Sequence, residues 1–405
     1  MNGTCHSLVA GRAIDLLPED SKKYWQECRI LLAEAAKFSD IFWTAENSSS
    51  KYLKKYPDWK DYVYLPENGE MKMGHHMLQP ARTQQQLEFT AGYLFPRILE
   101  EMRADNKERA AKFTGILSHM IGEFGQAAHV ADPKMLILLF QKDGEASLYH
   151  SPIENNPFVT YPEHDYLAHC LGNSEKEASW YFVNRLLRLK DHVSKTIVPI
   201  MCATLKHDNA EAAVYGIRNL GESTDIMADL LHTLYTLFCN KKCAAARVSM
   251  LELEPEDYLC DGCFNFMPYR NVMPGDKWDE PIRLDGGEGI RSGIALLPEM
   301  FPGHSYPRDA FVSYRIPAEV FRSLEFSCGL NHLAPRNEVS AVFKIYLDGE
   351  NVWTSPELSA DSTCIHSSVD LGKAQCVKFY VQDSRMHPEA TKWFYPCFFD
   401  MTLCR

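Results

Sequence analysis

The feature that most limits the folds open to this chain is a change of hydrophobic period partway along it. Up to about Cys243 apolar residues recur at helical spacing, as with Leu87, Ala91, Leu94 and Ile98 in the segment 82–102. Beyond it Pro and Gly rise through 255–308, and the remainder alternates apolar with polar, as in AVFKIYLDGENVWTS at 341–355. There Asp348-Gly349 reads as a two-residue hairpin turn that needs positive φ, and CVKFYVQD (376–383) and WFYPCFFDMTL (393–403) read as further strands. A multi-domain chain is predicted: an all-α helical bundle over 1–243, a linker and edge segment over 244–290, and an all-β jelly-roll sandwich over 291–405. At 405 residues the chain is ample for two separate cores.

Within the helical part the periodicity predicts helices over Asp20 to Phe38 and 82–102. Two more are expected, from a capping box at Ser174 and Glu177 to about Ala203, and from Glu211 to Cys239 with a break near Gly221. Residues 44–80 read as a long loop whose aromatics, Tyr52, Tyr56, Trp59, Tyr62 and Tyr64, suit a cleft wall.

The stretch 107–132, KERAAKFTGILSHMIGEFGQAAHVAD, carries the chemistry. His119 and Glu123 are four apart and share one helix face, and His129 follows six residues later. Imidazole nitrogen and carboxylate oxygen are donors that Zn²⁺ takes with high affinity. The same positions also suit two hydrogen-bonded histidines and an ordinary surface glutamate. His150 and Glu154 then repeat the four-residue spacing, which weighs towards metal.

The series His119-x3-Glu123-x5-His129 and His150-x3-Glu154, with a histidine near the start, resembles the superfamily of zinc-dependent phospholipase C, the N-terminal domain of glycosylphosphatidylinositol-specific phospholipase D, and S1/P1-type nucleases. Glu123 stands where that superfamily usually has a bridging Asp, and Ser39 replaces the proline usual before Asp40. The resemblance implies an all-helical domain holding up to three zinc ions. One ion falls to Asp40, His75 or His76, His119 and Glu123; a second to His129, His150 and Glu154; a third to Met1, His6 and Glu123. It also implies Asp40 as a general base, and hydrolysis of a phosphodiester in a phospholipid or glycolipid, with peripheral membrane contact. A nuclease, a phospholipase D-type enzyme and a non-catalytic glycan-binding protein are the alternatives. From about Arg291 the chain resembles the carbohydrate-binding module NPCBM, through FSCGLN (326–331), the 341–355 run, VKFYVQD (377–383) and KWFYPCFF (392–399). That implies a glycan ligand. Trp353 and Trp393 are available to it, although core packing suits each as well.

Composition excludes little. With 45% apolar and 24% charged residues the chain reads as globular, and a formal net charge of -12 without a basic tract argues against a nucleic-acid partner outside the nuclease alternative. No apolar run is long enough to predict a transmembrane helix. The 13 cysteines, odd in number and scattered, suit free thiols in a reducing compartment, and the lone Cys260-x2-Cys263 pair reads as structural. No signal-peptide pattern opens the sequence, so it is made without one or a leader has been removed. Thiol usage thus points to the cytoplasm and the habit of the resembled superfamily to secretion, which leaves the compartment unknown.

Overall fold

The computed structural model describes residues 3–43, 50–132, 165–242, 247–260, 269–270, 292–296, 298, 309–331, 334, 339–384 and 396–405. The chain divides into two compact units, Met1–Ala244 and Ala245–Arg405. The first is helical and the second is an antiparallel β-sandwich.

Helices α1 (Gly3–Ala13), α2 (Glu19–Gln26), α3 (Arg29–Ala35) and α4 (Phe38–Phe42) open the first unit. The single helix expected over 20–38 is therefore two, parted at Cys28 (φ -112°, ψ 13°). Asp40 lies inside α4 rather than after a helix end.

The expected loop 44–80 is also corrected. It contains α5 (Ser50–Lys55), α6 (Lys60–Val63), a β1–β2 hairpin (Tyr64–Glu67 and Glu70–Met73) and a 3-10 turn at Gly74–Leu78. Asn68 (φ 53°) and Gly69 (φ 83°) make the hairpin turn with Glu67 opposite Glu70, the left-handed pair that two-residue hairpins need. Tyr56, Trp59 and Tyr62 are buried in the core rather than lining a cleft; Trp59 stacks on Phe42 with centroids 4.8 Å apart.

Among the described residues four longer helices follow: α7 (Gln84–Arg103), α8 (Lys107–Phe124), α10 (Glu175–Leu205) and α11 (Asn209–Phe238), with the single turn α9 (Ala127–Val130) after α8. Thr83 caps α7 by accepting from Gln86 N–H, while the Gln86 side chain accepts from Thr83 N–H. Ser174 accepts from Glu177 N–H, but the Glu177 carboxylate reaches back to Asn173 N–H, one residue before the cap. No break occurs at Gly221: the helix runs unbroken from Asn209 to Phe238, a single interior Gly costing only about 1 kcal/mol against Ala.

Helix α8 runs through the centre, packed by α1, α3, α7 and α10, and every residue from Ala110 to Phe124 is buried. A helix buried all round is normally apolar. This one carries Lys112, Thr114, Ser118, His119 and Glu123, and each needs a partner. Lys112 Nζ pairs with Asp58 at 2.7 Å, Thr114 Oγ1 donates to Ala110 O and Ser118 Oγ to Gly115 O. His119 and Glu123 remain.

The second unit has sheets of strand order β10-β9-β13-β7-β4 and β12-β8-β14-β6-β5, where β6 is Gly293–Ala295 and β12 is Ile365–Asp370, with β11 (Leu358–Ser359) on β9 and β3 (Arg247–Ser249) on β14. The central strands are β7 (Asp309–Arg315), β9 (Ser340–Leu347) and β13 (Cys376–Asp383) in one sheet, β8 (Ser323–Leu330) and β14 (Pro396–Cys404) in the other. Their inward residues, among them Phe343 and Phe379 facing Phe326 and Phe398, pack edge to face between the sheets. The segment expected as linker and edge supplies β3, β4 (Asp257–Leu259) and β5 (Tyr269–Arg270), so both sheets draw on it. Asp348 (φ 49°) and Gly349 (φ 90°) turn β9 into β10 (Glu350–Thr354). Trp353 is half-buried, edge-on to Phe326 at 4.9 Å. Ten described cysteines are not disulfide-bonded, whereas Cys170 is, which departs from the free-thiol expectation at that sulfur.

Candidate metal centre

The two unsatisfied residues of α8 meet side chains from two other helices. His119 Nδ1 donates to the carbonyl oxygen of Ala36, at the end of α3, over 2.9 Å. That bond places the proton on Nδ1 and leaves the Nε2 lone pair free to accept a cation. Glu123 lies one turn further along. His6 comes from α1, its ring stacked on that of His119 with centroids 4.2 Å apart and planes 14° from parallel. Asp40 comes from α4.

Two glycines let these elements approach. A Cβ on Gly122 would sit 2.1 Å from His6 Nδ1, so the imidazole occupies the space a side chain would take. On Gly115 a Cβ would fall 2.4 Å from the Ala35 Cβ and 2.7 Å from its backbone carbon. The close contact of α3 with α8 brings Ala36 O within reach of His119.

One donor atom from each of His6, Asp40, His119 and Glu123 lies within 4.8 Å of the other three. His119 Nε2 is 3.3 Å from Asp40 Oδ1 and 3.4 Å from Glu123 Oε1; His6 Nε2 is 3.7 Å from Asp40 Oδ2 and 3.6 Å from Glu123 Oε1. Four bonds of about 2.0–2.2 Å at tetrahedral angles set donor atoms roughly 3.3–3.6 Å apart. The spacing is too long for good hydrogen bonds and close to the edge of a metal tetrahedron.

The hydrogen-bond inventory agrees. His6 Nδ1 and Nε2, His75 Nδ1, His119 Nε2 and Glu123 Oε1 are buried with no hydrogen-bond partner. Each such group costs on the order of 1–3 kcal/mol if left so, and four of the five face the cluster, His6 Nδ1 lying instead against Gly122. Two carboxylates and neutral imidazoles around one point fit a divalent metal ion, which would satisfy the lone pairs and offset the charge.

Electrostatics favour the metal-binding protonation states. Burial, then the neighbouring His119, lowers His6 to about 3, and the same causes lower His75 to about 4, so both rings are neutral at pH 7. Burial alone would raise the Glu123 carboxyl, but the charge and hydrogen bond of His129, with His6 and His119 beside it, hold it well below the usual range. Burial raises the pKa of Asp40, whose side chain is 31% exposed against 1% for Glu123.

Of the residues singled out from sequence, His6, Asp40, His119 and Glu123 come together, and His6 stands near Asp40 as well as Glu123. His75 Nδ1 lies 3.6 Å from Asp40 Oδ1, while His76 is next to it with its ring 5.1 Å away and near perpendicular. His129 Nδ1 is hydrogen-bonded to Glu123 Oε2 at 2.5 Å. Met1, His150, Glu154 and Trp393 lie outside the described residues. Not anticipated were Trp43, stacked on His75 at 4.9 Å; Gln79, whose amide lies 3.2 Å from His75 Nε2; Ala36 O; and the two glycines. Gly115 and Gly122 are seven apart around His119, so they share its helix face, a spacing visible in the sequence.

No family model and no curated protein matches the chain. Solved structures do. A CBM51 module of Clostridium perfringens GH95, in complex with methyl-galactose, is 20% identical at a TM-score of 0.30, covering 39% of this chain and 99% of its own. The M60 catalytic domain with two CBM51 domains of C. perfringens ZmpB is 18% identical at a TM-score of 0.30 over 39% of this chain, and the match spans 15% of that structure's length. Alpha toxin from Clostridium absonum is 13% identical at a TM-score of 0.38, covering 97% of this chain and 90% of its own.

Proposed function

We propose that the helical unit is a zinc-dependent phosphodiester hydrolase that cleaves a phospholipid headgroup in the manner of a phospholipase C. The observation that carries this reading is the convergence of one donor atom each from His6, Asp40, His119 and Glu123 within 4.8 Å of one another, with His6 Nε2, His119 Nε2 and Glu123 Oε1 buried and short of hydrogen-bond partners. The order of these residues is that of the superfamily the sequence resembles, and mixed imidazole and carboxylate donors suit zinc above softer or harder ions. His75, His129, His150, Glu154 and Met1 are proposed ligands of this ion or of others beside it.

Bound zinc supplies a lowered pKa for water and positive charge for the phosphoryl oxygens. The chain's own groups do the rest. His119 is held in one tautomer by Ala36 O, and the His6 ring is fixed against it, so neither has to reorganise. Glu123 is anchored by His129. Asp40, the most exposed of the four, is the candidate to take the proton from the attacking water. The sandwich, through its NPCBM resemblance, is proposed to bind glycan and bring the enzyme to a glycolipid or cell surface. Among the described residues no helix is long and apolar enough to cross a membrane, so the lipid contact proposed is peripheral.

The test is zinc content together with hydrolysis of phosphatidylcholine, phosphatidylinositol and single-stranded DNA, with and without chelator. Chelator-sensitive release of diacylglycerol is the expected result. Phosphatidic acid as the lipid product would reassign the chemistry to the D type, and cleavage of DNA alone to a nuclease. A protein that takes up no zinc and cleaves none of the three would overturn the reading in favour of a non-catalytic glycan binder.

A further inference from the structure

Beside the metal centre is a cavity of about 410 Å³, within the size range of small-molecule sites. Gln79, Pro80 and Ala81 form one wall, the segment Ala128–Asp132 another, and Lys190 of α10 contributes a cation. The cavity is tied to the metal cluster through two of its lining residues. His129 bonds Glu123 at 2.5 Å, and Gln79 lies 3.2 Å from His75. Apart from these two, Lys190 and Asp132, the described lining is Pro, Ala and Val.

Among the described residues the Lys190 side chain makes one hydrogen bond, from Nζ to the carbonyl oxygen of Pro80 at 2.8 Å. An ammonium has three N–H donors, and among the described residues no carboxylate lies within ion-pair distance of this one. Burial is the sole influence on its pKa, which it lowers; a neighbouring carboxylate would have acted the other way. A half-buried cation with spare donors, at the wall of a mostly apolar cavity, calls for an anion to complete it.

We propose that Lys190 is a substrate-positioning residue that binds a phosphoryl oxygen of the phosphodiester in this cavity. The inference rests on the hydrolase reading and deepens it, by naming the residue that orients the anion beside the metal ligands. Lysine serves as a point charge for phosphate, needing no bidentate geometry. With Asp40 and Glu123 offset by a divalent ion, Lys190 supplies positive charge towards the substrate's own, in a lining that also carries the Asp132 carboxylate.

The competing account is structural: Lys190 merely ties α10 to Pro80. Two variants of the full chain separate them, Lys190→Gln, which keeps a donor for Pro80 O without the charge, and Lys190→Arg, which keeps both. Inorganic phosphate is titrated into zinc-loaded protein, by calorimetry or ³¹P line width. In parallel, zinc-loaded protein is assayed on bis(p-nitrophenyl) phosphate for KM and kcat separately. Lys190→Gln is expected to weaken phosphate binding and raise KM by at least about tenfold, with kcat and the phosphate-free melting temperature less affected, and Lys190→Arg to restore most of the binding. Equal phosphate affinity in wild type and Lys190→Gln overturns the assignment, as does wild type that binds no phosphate. If Lys190→Gln does not fold, Lys190→Arg with unchanged melting temperature but no recovery of phosphate binding also overturns it. Phosphate binding that depends on Lys190 in a protein hydrolysing no diester would support the anion site and count against the hydrolase reading alone.

Discussion

His119 donates from Nδ1 to the carbonyl oxygen of Ala36, 83 residues earlier in the chain, and its other nitrogen faces Asp40 and Glu123. One imidazole therefore both fastens α8 to the end of α3 and presents a lone pair to the cluster. His119→Asn separates the two functions, because the amide nitrogen of Asn reproduces the position of Nδ1 while nothing replaces Nε2. Zinc affinity in this variant is expected to fall beyond the roughly 10–100-fold typical of losing an outer-sphere partner. Unfolding in urea after chelation should show less destabilisation than in His119→Ala. Equal zinc affinity in His119→Asn and wild type would remove His119 from the ligand set.

Gly122→Ala acts on His6 without touching it chemically. The new methyl would overlap the imidazole at 2.1 Å from Nδ1, and the ring, 2% exposed and stacked on His119, has little room to turn away. Replacing Gly by Ala inside a helix gains roughly 1 kcal/mol, which offsets part of an overpacking cost of about 1–3 kcal/mol. Stability should change little and zinc affinity a great deal. Competition with a chromophoric chelator reads the second quantity, and a variant that binds zinc as wild type does would place His6 outside the site.

The helix-to-strand switch near Cys243 was legible because apolar side chains carry the period on both sides of it. The pair His119 and Glu123 was legible for the same reason, their spacing being fixed by helical geometry. His6 and Asp40 entered only through the order of residues in a resembled superfamily, since nothing local marks a lone His or Asp as a ligand. The break at Cys28 has no Gly or Pro to announce it, and Tyr56, Trp59 and Tyr62 read as a cleft wall because burial in short helices depends on what packs over them. Ala36 O and the space over Gly122 are properties of three helices meeting, not of any one stretch. Asn68-Gly69 is different: a hairpin turn was written there, inside a segment read as loop.

Gly115→Ala is expected to do what Gly122→Ala does not. Its methyl would meet backbone atoms, 2.7 Å from the carbonyl carbon of Ala35 and 2.9 Å from Ala36 N, so α3 and α8 must separate. A loss of about 1–3 kcal/mol in unfolding free energy is expected, with weaker zinc binding as Ala36 O withdraws from His119. Chemical denaturation with and without chelator measures both. A fully stable variant would show that the contact has slack.

Away from the metal, Asp229 offers a pH test. It is fully buried on α11, its carboxylate accepting from Tyr166 Oη at 2.9 Å and His169 N–H at 2.7 Å and paired with Arg185 at 3.2 Å. Burial outweighs these partners and raises its pKa from 3.8 to about 6. The folded state thus holds a proton that the unfolded state has released between those values. The stability this group contributes is fully present below about 4 and lost as pH rises through about 6, a total near 3 kcal/mol. Asp229→Asn keeps an acceptor for Tyr166 and His169 but cannot titrate. The stability difference, wild type minus Asp229→Asn, measured in urea on chelated protein, should therefore fall between pH 4 and pH 7. A difference that stays flat, or rises, would mean that Arg185 and the two donors hold the carboxylate ionised across the whole range.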